Sequence, residues 1–381
     1  MNHRKRTILY LLIYISIFLL IFISLSWCLS IFAQPADTSY PEILIASLLI
    51  SLNQAVTISE LIAGAIMRKE NNPHQEAKYC NTKSKEQDCL VVYTILVKTE
   101  RQVKGLLNNL ETLSRESSRS ALFGILADLP DAPENVLCRE SQFIDKIQSF
   151  VVAINNNCKG DFFLFYRGRT YSESEGAWIG WERKRGKILN LVEEIITPGA
   201  GGFSRIVGAC EKLASVRYII TLDEDNIMPV KTMSRLMNSI RQTGHNINSN
   251  SAFEENYSCG ILQPAPIFNP DFKDHTLLTK LLYDGVRPAQ ANCGFRNFYQ
   301  DVFRRGSYYG KGIIDAHKFI KTKSWIPEGS VLSHDLLEGA LVGSEIVSDE
   351  YVLEAMPETF VSLRLRQHRW VRGETHLGKS S

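Results

Sequence analysis

Val216–Pro229, VRYIITLDEDNIMP, decides how the rest of the chain is read. Val216, Tyr218, Ile219, Ile220 and Leu222 make an apolar run with the pattern of a strand covered on both faces, and it stops on Asp223 and Asp225. Beyond Pro229, Met233, Leu236, Met237 and Ile240 recur at helical spacing. The acidic pair therefore sits at the carboxyl edge of a sheet, where open α/β sheets bind ligands. Two carboxylates one residue apart suit a hard divalent cation completed by phosphate oxygens, as at the diphosphate of a nucleotide sugar. A pair of solvated acids in a turn, with Asn226 capping the next helix, fits the same letters equally well.

Upstream, strand and helix signals alternate. Cys89–Val97 (CLVVYTILV), Ala121–Leu129 (ALFGILADL) and Phe162–Tyr166 read as strands, with helices predicted over 100–113, 141–154 and 182–196. This βαβαβαβ order predicts an α/β domain with a mostly parallel central sheet flanked by helices. No GxGxxG or GxxxxGK[ST] follows an early strand, which argues against a dinucleotide or P-loop site. Asp128, at the end of the second strand, suits a uracil or ribose and suits an acidic turn as well. In EGAWIGWERKRGKILN (175–190), Arg183, Lys184, Arg185 and Lys187 can neutralise a diphosphate or form a solvated helix face.

Downstream, Cys259–Phe268 reads as a strand confined to an edge or an end by Pro264 and Pro266. YQDVFRRGSYYGKGIID (299–315) reads as a mobile glycine-rich loop carrying Lys311, a lid over a sugar or phosphate. Ser333 is expected to cap a helix with Asp335 in its first turn, where the carboxylate either favours the helix dipole or serves as a general base. Residues 346–353 read as a strand, and 361–372 as an arginine-rich helix.

The chain has 381 residues, and 43 Lys plus Arg against 41 Asp plus Glu give no footprint for nucleic acid. Thr7–Ala33 is 27 residues without a charge, longer than the ~20 that cross a bilayer. A second apolar stretch, Ile43–Met67, contains Asn53, Gln54 and Glu60, and the short connection predicts a transmembrane helical hairpin. Arg4, Lys5 and Arg6 before the first stretch and Arg68 and Lys69 after the second place both ends in the cytoplasm. Eight cysteines (28, 80, 89, 138, 158, 210, 259 and 293) fall without a CxxC pair, as expected of a reduced domain without a zinc site.

Taken together and in order, ADLPDAP (127–133), FFLFYRGRTYSESEGAWIGWERKRGKILNL (162–191), ITLDEDN (220–226), GILQPAP (260–266), YQDVFRRGSYYGKGIID (299–315), LSHDLLEG (332–339) and RQHRWVRGE (366–374) carry a resemblance. From about Pro41 to Glu374 the chain resembles the membrane glycosyltransferase region of cyclic β-1,2-glucan synthases, an inverting family related to the processive GT-A group. The resemblance implies a GT-A fold, UDP-glucose as donor, a growing glucan as acceptor, the lipid bilayer as a partner, and Mg²⁺ or Mn²⁺ as cofactor. It implies that Asp128, Lys187 and Asn190 contact the uridine and that Asp223 and Asp225 hold the diphosphate and its metal. Asp335 corresponds to the catalytic base, Gly310, Lys311 and Gly312 to a loop near donor or acceptor, and Arg366, Arg369 and Trp370 to a terminal element beside the diphosphate.

The expected organisation is two transmembrane helices (1–70), a polar linker (71–88), the transferase domain (89–375) and a tail (376–381). The resemblance further implies a multi-pass protein of the bacterial inner membrane, its catalytic domain facing the cytoplasm. Members of that family continue past the RW element into more membrane helices and a phosphorylase-like module. A truncated or split product is expected here, with a separate polypeptide carrying those parts. Two other readings share the letters: a synthase of another β-glucan or of a glycolipid, and a non-catalytic assembly subunit.

Overall fold

The computed structural model describes residues 3–32, 41–45, 47, 48, 50, 51, 55, 58, 87–137, 140–158, 161–173, 175–245, 259–269, 300, 306–328, 334–355, 359–362, 364, 365 and 368. Two compact units emerge, Met1–Pro73 with Gly294–Arg305, and His74–Cys293 with Gly306–Ser381.

In the first unit, α1 (His3–Phe32) leaves Leu12, Leu20, Ile23, Trp27 and Ile31 more than half exposed. A helix apolar on every side has no favourable place in water. Leu11–Ile31 is long and apolar enough to cross a membrane, and it is the one such helix among the described residues. The described residues of the second apolar stretch, 41–45, 47, 48, 50, 51, 55 and 58, are helical. They do not amount to a second span, so the described residues carry one membrane-length helix where a hairpin is expected.

The second unit is a mixed α/β layer structure. In chain order it contains β1 (Cys89–Leu96), α2 (Glu100–Glu116), β2 (Leu122–Asp128), α3 (Glu140–Cys158), β3 (Phe162–Tyr166), the small hairpin β4 (Thr170–Ser172) and β5 (Ala177–Ile179), and α4 (Arg183–Ile196). Then come β6 (Arg205–Val207), β7 (Tyr218–Asp223), α5 (Val230–His245), β8 (Ile261–Phe268), β9 (Gly312–Asp315), the short α6 (Ala316–Phe319) and α7 (Thr322–Trp325), α8 (Asp335–Val342) and β10 (Ser344–Glu354).

Eight strands form one sheet in the order β10-β8-β9-β7-β1-β2-β3-β6. β7, β1, β2 and β3 are parallel neighbours, β8 and β10 pair in parallel, and β9 and β6 run antiparallel to their neighbours. The chain steps outward from β1 to β2 and β3, then returns to place β7 on the other side of β1. In open α/β sheets ligands bind outside the carboxyl ends of the strands at such a reversal, and Asp223 ends β7 there.

The strands read as continuous apolar runs because both sheet faces are covered. In β1, Cys89, Val91, Tyr93 and Ile95 join one core, with α2, α3 and α5, while Leu90 and Val92 join the other, with α4. Helix α2 follows its sequence closely: Thr99 caps it by accepting from Gln102 N at 3.2 Å, and Val103, Leu106, Leu107, Leu110 and Leu113 form its buried stripe.

Three expectations change. β8 lies inside the sheet, and its prolines are tolerated because β9 pairs only with Ile261 and Leu262 while β10 shifts register between Val347 and Tyr351. Gly312–Asp315, expected as glycine-rich loop, is β9, inserted between β7 and β8. The residue capping α8 is His334, without a side-chain cap bond; Ser333 lies outside the described residues.

Candidate active site

The acidic pair is shaped by a tight turn. Asn226 N donates to Asp223 O at 3.0 Å, and the Asn226 side chain accepts from Asp223 N at 2.9 Å and donates to Asp225 Oδ1 at 3.3 Å. Asn226 thus closes the turn over the two carboxylates instead of capping α5. The Tyr93 hydroxyl donates to Asn226 O at 2.7 Å, and burial, with some help from the charge of Asp225, pushes the phenol up to about 12.

Lys184, in the first turn of α4, is the centre of the cleft. Its ammonium donates to Asp223 Oδ1 at 2.6 Å and to Gly310 O at 3.1 Å. Thr94 adds a bond to Asp223 Oδ1 at 3.4 Å, and Lys311 stands 3.8 Å from Oδ2 while pairing with Glu354. Burial alone would raise the Asp223 carboxyl, but Lys184 and Lys311 hold it below its ordinary value. Burial likewise opposes charge on Lys184, and Asp223 and Asp335 override it, so the ammonium is held above its ordinary range.

Asp335 belongs to the same cleft. The point that a Cβ on Gly310 would occupy lies 2.7 Å from Lys184 Nζ and 2.8 and 2.9 Å from the two Asp335 oxygens. Gly310 has φ +76°, so both its backbone and its lack of a side chain are required where Lys184 and Asp335 face each other. Strands and helices far apart in sequence thereby converge on one ammonium.

The glycine loop is strapped down over its described part and is not a free lid. Gly306 N donates to Ser344 O and Ser344 Oγ to Gly306 O, both at 2.6 Å. Tyr308 is fully buried with its hydroxyl 3.3 Å from Thr221 Oγ1, and Tyr309 N donates to the buried Gln263 side chain at 3.1 Å. Burial, then the neighbouring Asp335, pushes the Tyr308 phenol well above its ordinary range.

Behind Asp335, His334 Nδ1 lies 3.0 Å from Glu338 Oε2 and 3.6 Å from Asp335 Oδ1. Glu338 is fully buried, and its other oxygen is 3.8 Å from Nε of the buried Arg185. Asp335 Oδ1 is buried without a hydrogen bond, although the side chain as a whole is 26% exposed.

A second cluster lies one turn along α4. Arg167 grips Asp128 with two bonds, Nε to Oδ1 at 2.8 Å and Nη2 to Oδ2 at 2.7 Å, and also donates to Asn190 Oδ1 at 2.7 Å and to the carbonyls of Trp181 and Arg183 at 3.0 and 3.1 Å. Those carbonyls are aimed by Glu182 and Arg183, both in the left-handed region at φ 49°. Gly186 makes the turn passable, because a Cβ there would come within 2.0 Å of the Trp181 carbonyl. Lys187 donates to Ile95 O at 2.7 Å and lies 3.3 Å from Asp128; burial pushes its ammonium below the ordinary value, with Asp128 opposing.

Asp223, Lys311 and Asp335 are thus gathered together beside the turn that carries Asp225, while Arg167 holds Asp128 and Asn190, and Lys187 lies beside Asp128. Arg366, Arg369 and Trp370 lie outside the described residues. Sequence reasoning missed Arg167 and Glu338, which look like surface charges in one dimension, and did not separate Lys184 from its basic neighbours. The spacing of Lys184 and Lys187, three apart on one helix, was the available signal.

No protein-family model matches the chain. The chain is similar to the cyclic beta-(1,2)-glucan synthase NdvB of Rhizobium meliloti (strain 1021), at 29% identity over 315 residues, or 76% of this chain. It spans only 10% of that protein's length, so it is related to one region of a glucan synthase.

Proposed function

We propose that this chain is a membrane-anchored, inverting glucosyltransferase with a GT-A fold that takes glucose from UDP-glucose and adds it in β-1,2 linkage to a growing glucan. The observation that carries the reading is the convergence of Asp223 and Asp335 on Lys184 and Gly310. A similar region of a glucan synthase supports the substrate class.

In this reading the acceptor hydroxyl gives its proton to Asp335 as its oxygen attacks the anomeric carbon of the donor from the face opposite UDP. The bond from that carbon to the diphosphate oxygen breaks, UDP leaves, and the α-linked donor becomes a β product in one displacement. That the Asp335 side chain is 26% exposed beside Lys184 and Gly310 supports its part as the acceptor of that proton. Lys184 and Lys311 add positive charge beside the departing diphosphate. Asp128, Lys187 and Asn190 form the uridine end, with Arg167 fixing Asp128 and Asn190.

The acidic pair suits Mg²⁺ or Mn²⁺ by its chemistry, two hard carboxylates at a sheet edge. Asp223 and Asp225 would hold the ion, which when bound neutralises charge on the leaving diphosphate. Arg366, Arg369 and Trp370 are assigned to the diphosphate side of the cleft by resemblance. α1 anchors the chain, the second apolar stretch returns it, and the basic flanks keep the transferase on the cytoplasmic face of a bacterial inner membrane.

The test is incubation of membranes holding the full chain with labelled UDP-glucose and Mg²⁺ or Mn²⁺. UDP release with a β-1,2-linked product by linkage analysis is expected; a folded sample that releases no UDP and makes no glucan overturns the reading.

A further inference from the structure

Asp223 of the acidic pair is already neutralised from within the chain. A carboxylate that is to hold a divalent cation normally waits with solvated oxygens, yet Asp223 Oδ1 is held by Lys184 at 2.6 Å and Oδ2 has Lys311 at 3.8 Å. Lys184 is also the less buried of the two lysines on that side of α4: its side chain is 26% exposed, against 6% for Lys187. Its second bond goes to a backbone carbonyl, Gly310 O, and its stem is long and flexible. Such a group can leave one oxygen for another without unfolding anything.

We propose that Lys184 is an exchangeable counter-ion of the acidic pair: it occupies Asp223 while the cleft lacks donor, and turns to a diphosphate oxygen when a divalent cation arrives with the nucleotide. The inference rests on the reading of Asp223 and Asp225 as a cation-diphosphate site and adds a residue that no resemblance assigns to it. Two consequences follow from Coulomb's law at short range. Without nucleotide, Lys184 and the cation compete for Asp223, so the bare protein binds the cation weakly. With nucleotide, the ammonium gains a phosphate partner and Asp223 is released to the cation, so the two ligands bind cooperatively. The loop responds as well, because the carbonyl of Gly310 loses a donor when Lys184 turns, beside Asp335. Donor binding is thereby signalled to the residue that meets the acceptor.

The experiment measures Mn²⁺ binding by electron paramagnetic resonance on the full chain in detergent, with and without UDP, for the unaltered protein, Lys184→Met and Lys184→Arg. Lys184→Met is expected to bind Mn²⁺ alone at least about tenfold tighter than the unaltered protein, to bind UDP more weakly, and to lose most of the enhancement that UDP gives. Lys184→Arg keeps the positive charge and should bind Mn²⁺ alone no tighter than the unaltered protein, which separates charge from folding damage. If the unaltered protein takes up Mn²⁺ with UDP while Lys184→Met binds Mn²⁺ alone no tighter, the counter-ion role is wrong and the metal site stands. If the unaltered protein takes up no Mn²⁺ even with UDP, the metal site itself is wrong and the exchange falls with it.

Discussion

Lys184 and Lys187 sit one turn apart on the same helix and live under opposite conditions. Lys187 is buried in a closed cluster with Asp128 and Arg167, and its ammonium is destabilised by burial. Lys184 stands half-open between Asp223 and Asp335, which keep it charged. Arg167 makes five donations, two of them to Asp128. In the cleft, by contrast, an Asp335 oxygen goes without a hydrogen bond and the carboxylates are only partly sheltered. A satisfied buried network gives shape, and an incompletely satisfied, half-open one is where a reacting molecule can still gain something.

The sharpest way to break this contrast is at Asp335. Asp335→Asn is expected to slow UDP release from UDP-glucose by about 10²–10⁴-fold while UDP affinity, measured by calorimetry, stays within error; unaltered turnover would remove the cleft from the chemistry. At the other cluster the expected loss is stability. Arg167→Met leaves Asp128 buried without its partner and should cost about 3–5 kcal/mol in denaturant unfolding, whereas Lys184→Met, at a half-open pair, should cost no more than about 1 kcal/mol.

Gly310→Ala probes the meeting point of loop and helix. Its left-handed backbone and the close Lys184 and Asp335 atoms predict a drop in turnover of about 10²-fold, with a stability loss of about 1–3 kcal/mol readable as a lowered Tm. The smallest effect belongs to His334. Burial works against its proton, but Glu338 and Asp335 outweigh burial and raise its folded-state value above the ordinary one. Its stabilising contribution is therefore complete below about pH 6.5, the unfolded value, and is lost as pH rises through the higher folded value. Unfolding free energies measured across that range should fall with pH in the unaltered protein and fall less in His334→Gln.

The strands were legible in the sequence because a sheet covered on both faces demands unbroken apolar runs, and Cys89–Leu96, Leu122–Asp128, Phe162–Tyr166 and Tyr218–Asp223 supply them. Asp335 and the acidic pair were legible as candidates for one cleft, and what stands between them was not, since Lys184 and Gly310 come from two further segments. β9 escaped notice because four residues beginning with glycine look like loop until β7 and β8 stand on either side of them. Arg167 escaped because a buried arginine has the same letter as an exposed one; only its acceptors, spread from Asp128 to Asn190, mark it. Glu338 hid for the same reason, one helical turn from Asp335 in what reads as an ordinary helix face.

Helix α4 joins these two clusters as one rigid rod. Lys184 and Asn190 are separated by six residues, about 9 Å of axial rise, and neither can slide without carrying the other. In the proposed reading the helix would act as a gauge block between the sugar-nucleotide's two ends: a substitution that rolls or shifts it to suit a different base would push the ammonium off Asp223. On that reading, retuning donor choice would call for changes in the strands and loops facing α4, while α4 itself keeps its register.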